Sequence, residues 1–168
     1  GFGYNPLTQL TSVKLPKYDF NGTTENNAYV KSALLSSKNL SLATLDLSAV
    51  TEIGNKVVVN VLKALTSVTL NPNGVVICDN AFNGLSKLTT INNLDKATSI
   101  GKAAFKGTKI GVHDFWTNKY TVTLNNAITA IPADAFSGNI QMTNFVATGV
   151  KTIADGAFSG CTNLSSID

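Results

Sequence analysis

The sequence predicts an α/β solenoid, rich in strands with short 3₁₀ or helical turns, and more helical in its N-terminal units. Three observations point there. The phrase Ile-x-x-x-Ala-Phe-x-Gly recurs at Ile77–Gly84, Ile100–Gly107, Ile131–Gly138 and Ile153–Gly160, with its Phe residues 23, 31 and 22 apart. Upstream, Val30, Leu35, Leu42, Leu45 and Leu47 match Ile53, Val58, Leu65, Val68 and Leu70, each pair 23 apart. A unit of that length cannot bury its own apolar side, so neighbouring units must stack into one continuous core.

Each element follows from the pattern. Leu-x-x-Val-x-Leu, as in Leu65–Leu70, ends with period-2 alternation and reads as a strand. The residues before each phrase Ile, such as Val75–Ile77 and Lys151–Ile153, read as a second short strand. Ala-Phe-x-Gly between them is a tight turn or 3₁₀ piece, whose Gly permits positive φ. Pro132–Phe136 suits a single helical turn with Pro first. Asn27–Lys38 and Asn55–Leu65 lack the Phe-Gly phrase. Their apolar residues fall 3 and 4 apart, so each is expected to be an amphipathic helix capped by its Asn. The expected organisation is one domain, 1–168. Within it, 1–29 are irregular with one partial repeat, and 30–168 hold six repeats with an insertion at 108–119.

Composition limits the chemistry. One His and two separated Cys cannot form a four-ligand His/Cys zinc site, and no metal or cofactor is expected. All 13 basic residues are Lys, so the guanidinium fork that reads guanine or clamps phosphate is absent. With a net charge of only +3, nucleic acid is not an expected partner. No run of apolar residues is long enough for a transmembrane helix. Cys78 and Cys161 lie three units apart, on the order of 15 Å at strand spacing. They are therefore expected to be free thiols, with Cys161 buried. Asp79, Asp134 and Asp155 precede the phrase Phe by two or three residues, a register that fits turn caps.

The complete phrase, Ile153-x-x-x-Ala157-Phe158-x-Gly160-Cys161-x-x-Leu164-x-x-Ile167, resembles the BspA-type leucine-rich repeat. The resemblance covers Ile77–Asp168 well and Val30–Leu70 loosely. It implies a right-handed β-α superhelix and a secreted or surface-anchored protein. Several such proteins are adhesins for host matrix proteins or other bacteria. Two departures stand out: the first units lack Phe, and an insertion follows Phe105. Leu85, Thr108 and Asn139 occupy the place of Cys161, which marks it as a packing position.

Candidate binding residues fall in two groups. Side chains flanking the central apolar residue of each strand point away from the core and form two columns on the inner face. One column is Ser12, Thr44, Ser67, Thr90, Thr121, Asn144 and Ser166; the other is Lys14, Asp46, Thr69, Asn92, Thr123, Val146 and Asp168. Solenoids bind on such faces, although Thr and Ser also simply suit exposed strands. The second group is the insertion, with His113, Asp114, Phe115 and Trp116. Either this loop makes contacts, as Trp often does, or its aromatics fold back over apolar surface. A His-Asp pair alone is no catalytic triad, and no Gly-x-Ser-x-Gly elbow accompanies it. The chain is therefore expected to be a non-catalytic binding module. Its expected partner is a host or bacterial surface protein; the alternative is a glycan, bound as a carbohydrate-binding module of a gut or oral bacterium. The last repeat leaves its stacking face without a following unit. That fits a cut boundary, a partner domain, or end-to-end self-association.

Overall fold

A computed structural model describes residues 10–15, 41–55 and 57–168. The strands, in chain order, are β1 (Ser12–Lys14), β2 (Thr44–Asp46), β3 (Glu52–Ile53), β4 (Ser67–Thr69), β5 (Val75–Ile77), β6 (Thr90–Asn92) and β7 (Ala97–Ile100). They continue with β8 (Val112–Asp114), β9 (Lys119–Thr123), β10 (Ala130–Ile131), β11 (Asn144–Val146), β12 (Thr152–Ile153) and β13 (Ser166–Ile167). They wind into a β-solenoid. Leu-x-x-Val-x-Leu places the strands of the first column, and the residues before each phrase Ile place the second.

The first column pairs in parallel, in the register the repeat dictates. Ser12, Thr44, Ser67 and Thr90 lie side by side, as do Lys14, Asp46, Thr69 and Asn92. After the insertion, Thr121, Asn144 and Ser166 align again. The central residues Leu45, Val68, Val122 and Phe145 are buried, so their neighbours face outward.

The Ala-Phe-x-Gly turns make a third column. Phe82 and Phe105 stack with ring centroids 5.4 Å apart, Phe105 and Phe136 at 5.4 Å, and Phe136 and Phe158 at 5.7 Å. Each such ring pair contributes about 0.5–1.5 kcal/mol beyond the area it buries. Beside the rings, the turn backbones bond to each other: Phe82 N–H donates to Ala104 O, Phe105 N–H to Ala135 O and Phe136 N–H to Ala157 O. At the adjacent Gly107 and Gly138, φ is +74° and +76°, and a Cβ on Gly138 would lie 3.6 Å from the Gly107 Cα. Gly therefore serves both the turn and the close stacking of turns.

The insertion divides both strand columns. The first becomes two four-stranded sheets, β1-β2-β4-β6 and β8-β9-β11-β13; the second becomes β3-β5-β7 and β10-β12. Only the turn column crosses without interruption. There Ala103, Phe105 and Gly107 N–H donate to Ala133, Ala135 and Ser137 O. The extra residues leave the frame as an antiparallel hairpin of β8 and β9, in which Val112 faces Thr121. Thr108 and Ile110, expected within the insertion, remain buried in the core.

Several expectations need correction. Among the described residues the solenoid is built of strands and turns, not of alternating strands and helices, and its earlier units are no more helical than its later ones. Among the described residues the one helical element is a 3₁₀ turn, Leu94–Lys96. Within the expected Asn55–Leu65 helix, residues 59–65 fold as successive turns, in which Leu62 N–H donates to Val59 O and Leu65 N–H to Leu62 O. The buried residues there are Val57, Val59, Leu62 and Leu65, a spacing of 2 and 3 that no α-helix face provides. Three successive Val residues also weaken a helix. Asn55 caps no helix among the described residues; its amide donates to Glu52 Oε1 and Cys78 Sγ. The expected Asn27–Lys38 helix lies outside the described residues. Pro132–Phe136 forms a turn closed by Ala135 N–H to Pro132 O, without a helix. Asp134 takes φ +57° within it, a conformation that stops helical propagation. Cys78 and Cys161 are free, as expected, but Cys161 is only half-buried, its Sγ 3.2 Å from Phe136 O.

Candidate binding site

The break in the first column creates a groove of about 810 Å³. Thr90 and Asn92 edge it on one side, Thr121 and Thr123 on the other, and His113, Phe115 and Tyr120 of the hairpin flank it. Ile91, Ile110 and Val122, whose side chains face the core, also line it. The structure thus brings together residues from both candidate groups: Thr90, Asn92, Thr121 and Thr123 of the columns with His113 and Phe115 of the insertion. Thr44, Asp46, Ser67, Thr69 and Asn144 lie elsewhere on the same face and do not line the groove.

The hairpin is built by its own polar residues. The Asp114 carboxylate accepts from Trp116 N–H at 2.9 Å and from the Thr117 hydroxyl at 2.8 Å. The Thr117 hydroxyl, then the Trp116 amide, hold the Asp114 carboxyl below the usual carboxylate range. Asn118, at φ +53°, closes the reversal and meets His113 Nε2 at 3.0 Å. The His113 ring stacks on Tyr120 at 4.3 Å, and Phe115 packs edge-on against it at 4.4 Å. His113 and Asp114 therefore spend their polar atoms on different partners, both within the hairpin. Phe115 and Trp116 do not fold back: they are 85% and 98% exposed, with Val112 at 75%.

Along the columns, polar side chains also hold one another. Asn92 Nδ2 donates to Thr69 Oγ1 at 3.2 Å, and Lys14 pairs with Asp46 at 3.7 Å. Ser48, more than Lys14, keeps the Asp46 carboxyl below its usual range. Asp79 caps the following turn, accepting from Lys102 N–H at 2.7 Å, and Asp134 pairs with Lys106 at 3.2 Å. Burial pushes the Cys78 thiol up, with Glu52 adding to it, and burial does the same for Cys161. Neither thiol is held as the reactive thiolate. Among the described residues no three metal-ligating side chains cluster.

Sequence reasoning missed Asn139, which anchors the hairpin's root. It is fully buried, and its Nδ2 donates to Ile110 O at 2.9 Å. Its Oδ1 accepts from Gln141 N–H at 3.2 Å and Met142 N–H at 3.1 Å. A polar residue at a place filled by Leu85 and Cys161 in other turns was the available signal.

The BspA type leucine-rich repeat region matches six times, over residues 8–123 and 114–168. The chain belongs to the BspA-type leucine-rich repeat family. A leucine-rich repeat protein from Bacteroides ovatus has a similar structure (TM-score 0.59, 19% identity, 94% of this chain and 37% of that one). A leucine-rich cell surface protein from Faecalibacterium prausnitzii is similar at TM-score 0.51 and 21% identity, over 94% of this chain and 42% of that one. The chain thus spans less than half the length of either, and the likeness extends to the fold. No curated protein matches. No helix among the described residues is long and apolar enough to cross a membrane.

Proposed function

We propose that this chain is a non-catalytic recognition module of a secreted or cell-surface protein, binding a protein partner through the hairpin and the groove beside it. One observation carries the reading: the hairpin holds Phe115 and Trp116 in solvent while the Phe residues of the stack up to Phe136 are buried. Exposing both rings on a hairpin braced by Asp114 and His113 costs solvation that a monomer has no reason to bear, whereas a partner would cover them. Membership of the BspA-type family, together with the likeness in fold to a leucine-rich cell surface protein, supports the location. A glycan is the second reading, favoured by Thr90, Asn92 and Thr123 standing beside apolar ring surface.

An array of matrix proteins and glycans, probed with the native chain and with Phe115→Ala/Trp116→Ala, tests this. Binding to a protein that the double variant loses is the expected result. A hit confined to glycans transfers the role to the second reading. Binding that survives the double variant removes the hairpin from the site. A second pair of variants, Thr90→Lys and Thr123→Lys, separates the groove from the hairpin tip.

A further inference from the structure

We propose that the groove is a vacant strand position, and that the partner fills it with an extended polypeptide segment hydrogen-bonded to the edges of β6 and β9. The inference rests on the recognition role above and specifies its chemistry.

Backbone parity decides which groups face the groove. In a parallel ladder, alternate residues bond to opposite neighbours. Thr90 N–H donates to Thr66 O, and Asn92 O accepts from Leu70 N–H, so residues 90 and 92 serve β4. The N–H and C=O of Ile91 then point the other way, into the groove, followed by the N–H of Asn93. On the far side, Tyr120 O accepts from Thr143 N–H and Leu124 N–H donates to Val146 O, so Thr123 presents its N–H and C=O to the groove. In an uninterrupted pair of turns such groups meet directly: Leu47 N–H donates to Thr69 O, and Leu70 N–H to Asn92 O. Here β6 and β9 belong to different sheets; β8 covers the β9 edge over Lys119–Thr121, and only its Thr123 end is open toward β6. Gly111 closes one end of the opening, donating to Thr89 O at 3.3 Å. Beyond it no strand among the described residues pairs with the β6 edge.

Two facing edges with backbone donors and acceptors select for another backbone, since only an extended chain offers alternating partners at strand spacing. The side chains set its character. One set of alternate residues would point toward Ile91, Ile110 and Val122 and should be apolar. The other set would face outward beside the aromatic hairpin. The occupant is therefore an extended segment of alternating apolar and polar residues.

The test uses linear random-sequence peptides displayed on phage, selected on the full chain. The best binder is synthesised and titrated against Thr123→Pro and Thr123→Ala. Proline removes the one β9 N–H aimed into the groove, at an exposed position beyond the end of β8; alanine keeps that N–H. The expected result is affinity about tenfold weaker for Thr123→Pro and little changed for Thr123→Ala. Amide hydrogen exchange on the native chain is the second readout, needing no variant: bound peptide should slow Ile91, Asn93 and Thr123. A selected peptide that leaves all three amides exchanging at the free rate overturns the strand position. So does a selection that yields no binder. If an array partner binds in a hairpin-dependent way without protecting these amides, the strand inference fails and the recognition role stands. If no array partner depends on the hairpin, the recognition role itself fails.

Discussion

Replacing Asn139 by Leu should destabilise the protein far more than its near-isosteric size suggests. Its carboxamide makes three hydrogen bonds: to Ile110 O, and from the N–H groups of Gln141 and Met142. Residues 110, 139 and 142 are all at most 1% exposed, so water cannot take over the Ile110 carbonyl or the Met142 amide. Each buried group left unpaired costs about 1–3 kcal/mol. The Gln141 amide is better placed to find water and adds little. Leu recovers part of the loss by filling the space, as Leu85 does in its own turn. The net loss is about 2–4 kcal/mol, or about 4–16 °C in Tm for a domain of this size. Urea unfolding with the native chain and Gln141→Ala as references measures it. A loss below about 1 kcal/mol would mean the two groups find other partners, and would refute Asn139 as the anchor of the hairpin root.

Three further outcomes follow from the geometry. Ala103 holds φ +51°, where Gly156 stands in a later turn, so Ala103→Gly should stabilise by about 1 kcal/mol; a drop in Tm would contradict the strain argument. Gly149→Ala should destabilise by about 1–3 kcal/mol, because its Cβ would press on the Asn126 carbonyl of the preceding turn; an unchanged urea midpoint would show that this backbone yields freely. Since Thr117 and Trp116 lower the Asp114 pKa, the tip's hydrogen bonds are fully formed above the ordinary value of 3.8 and are lost as pH falls through the lowered one. The Thr117 amide shift, followed by NMR on acidification, should move in that window and stay flat in Asp114→Asn.

How much of this the sequence carried depends on range. The 23-residue period gave the strand register residue by residue, because the same spacing that aligns Leu45 with Val68 also aligns Thr44 with Ser67. The Phe stack was equally legible, even across the interval of 31. The turns of 55–65 were not, since Val57, Val61 and Leu65 satisfy a helical spacing that packing against neighbouring turns overrides. The groove was half legible. The columns and the insertion were each visible, but their meeting depends on how the chain leaves the frame at Gly111, a matter of backbone direction that side-chain identity does not encode. Asn139 was hidden for the same reason: its partner, Ile110, lies 29 residues earlier and outside the regular period.

The uninterrupted turn column has a thermodynamic corollary. Stability in a stacked array is a sum of unit terms and nearest-neighbour terms. The junction at the insertion keeps one edge of its neighbour term and forfeits the other two. It is a seam between two blocks, one ending near Gly111 and the other beginning with β9. Where the seam term is smaller than the rest, the chain melts in two steps, and a single transition temperature stops being well defined. A ligand lodged across the seam would act as a stitch, merging the steps into one and raising the lower of them by mass action.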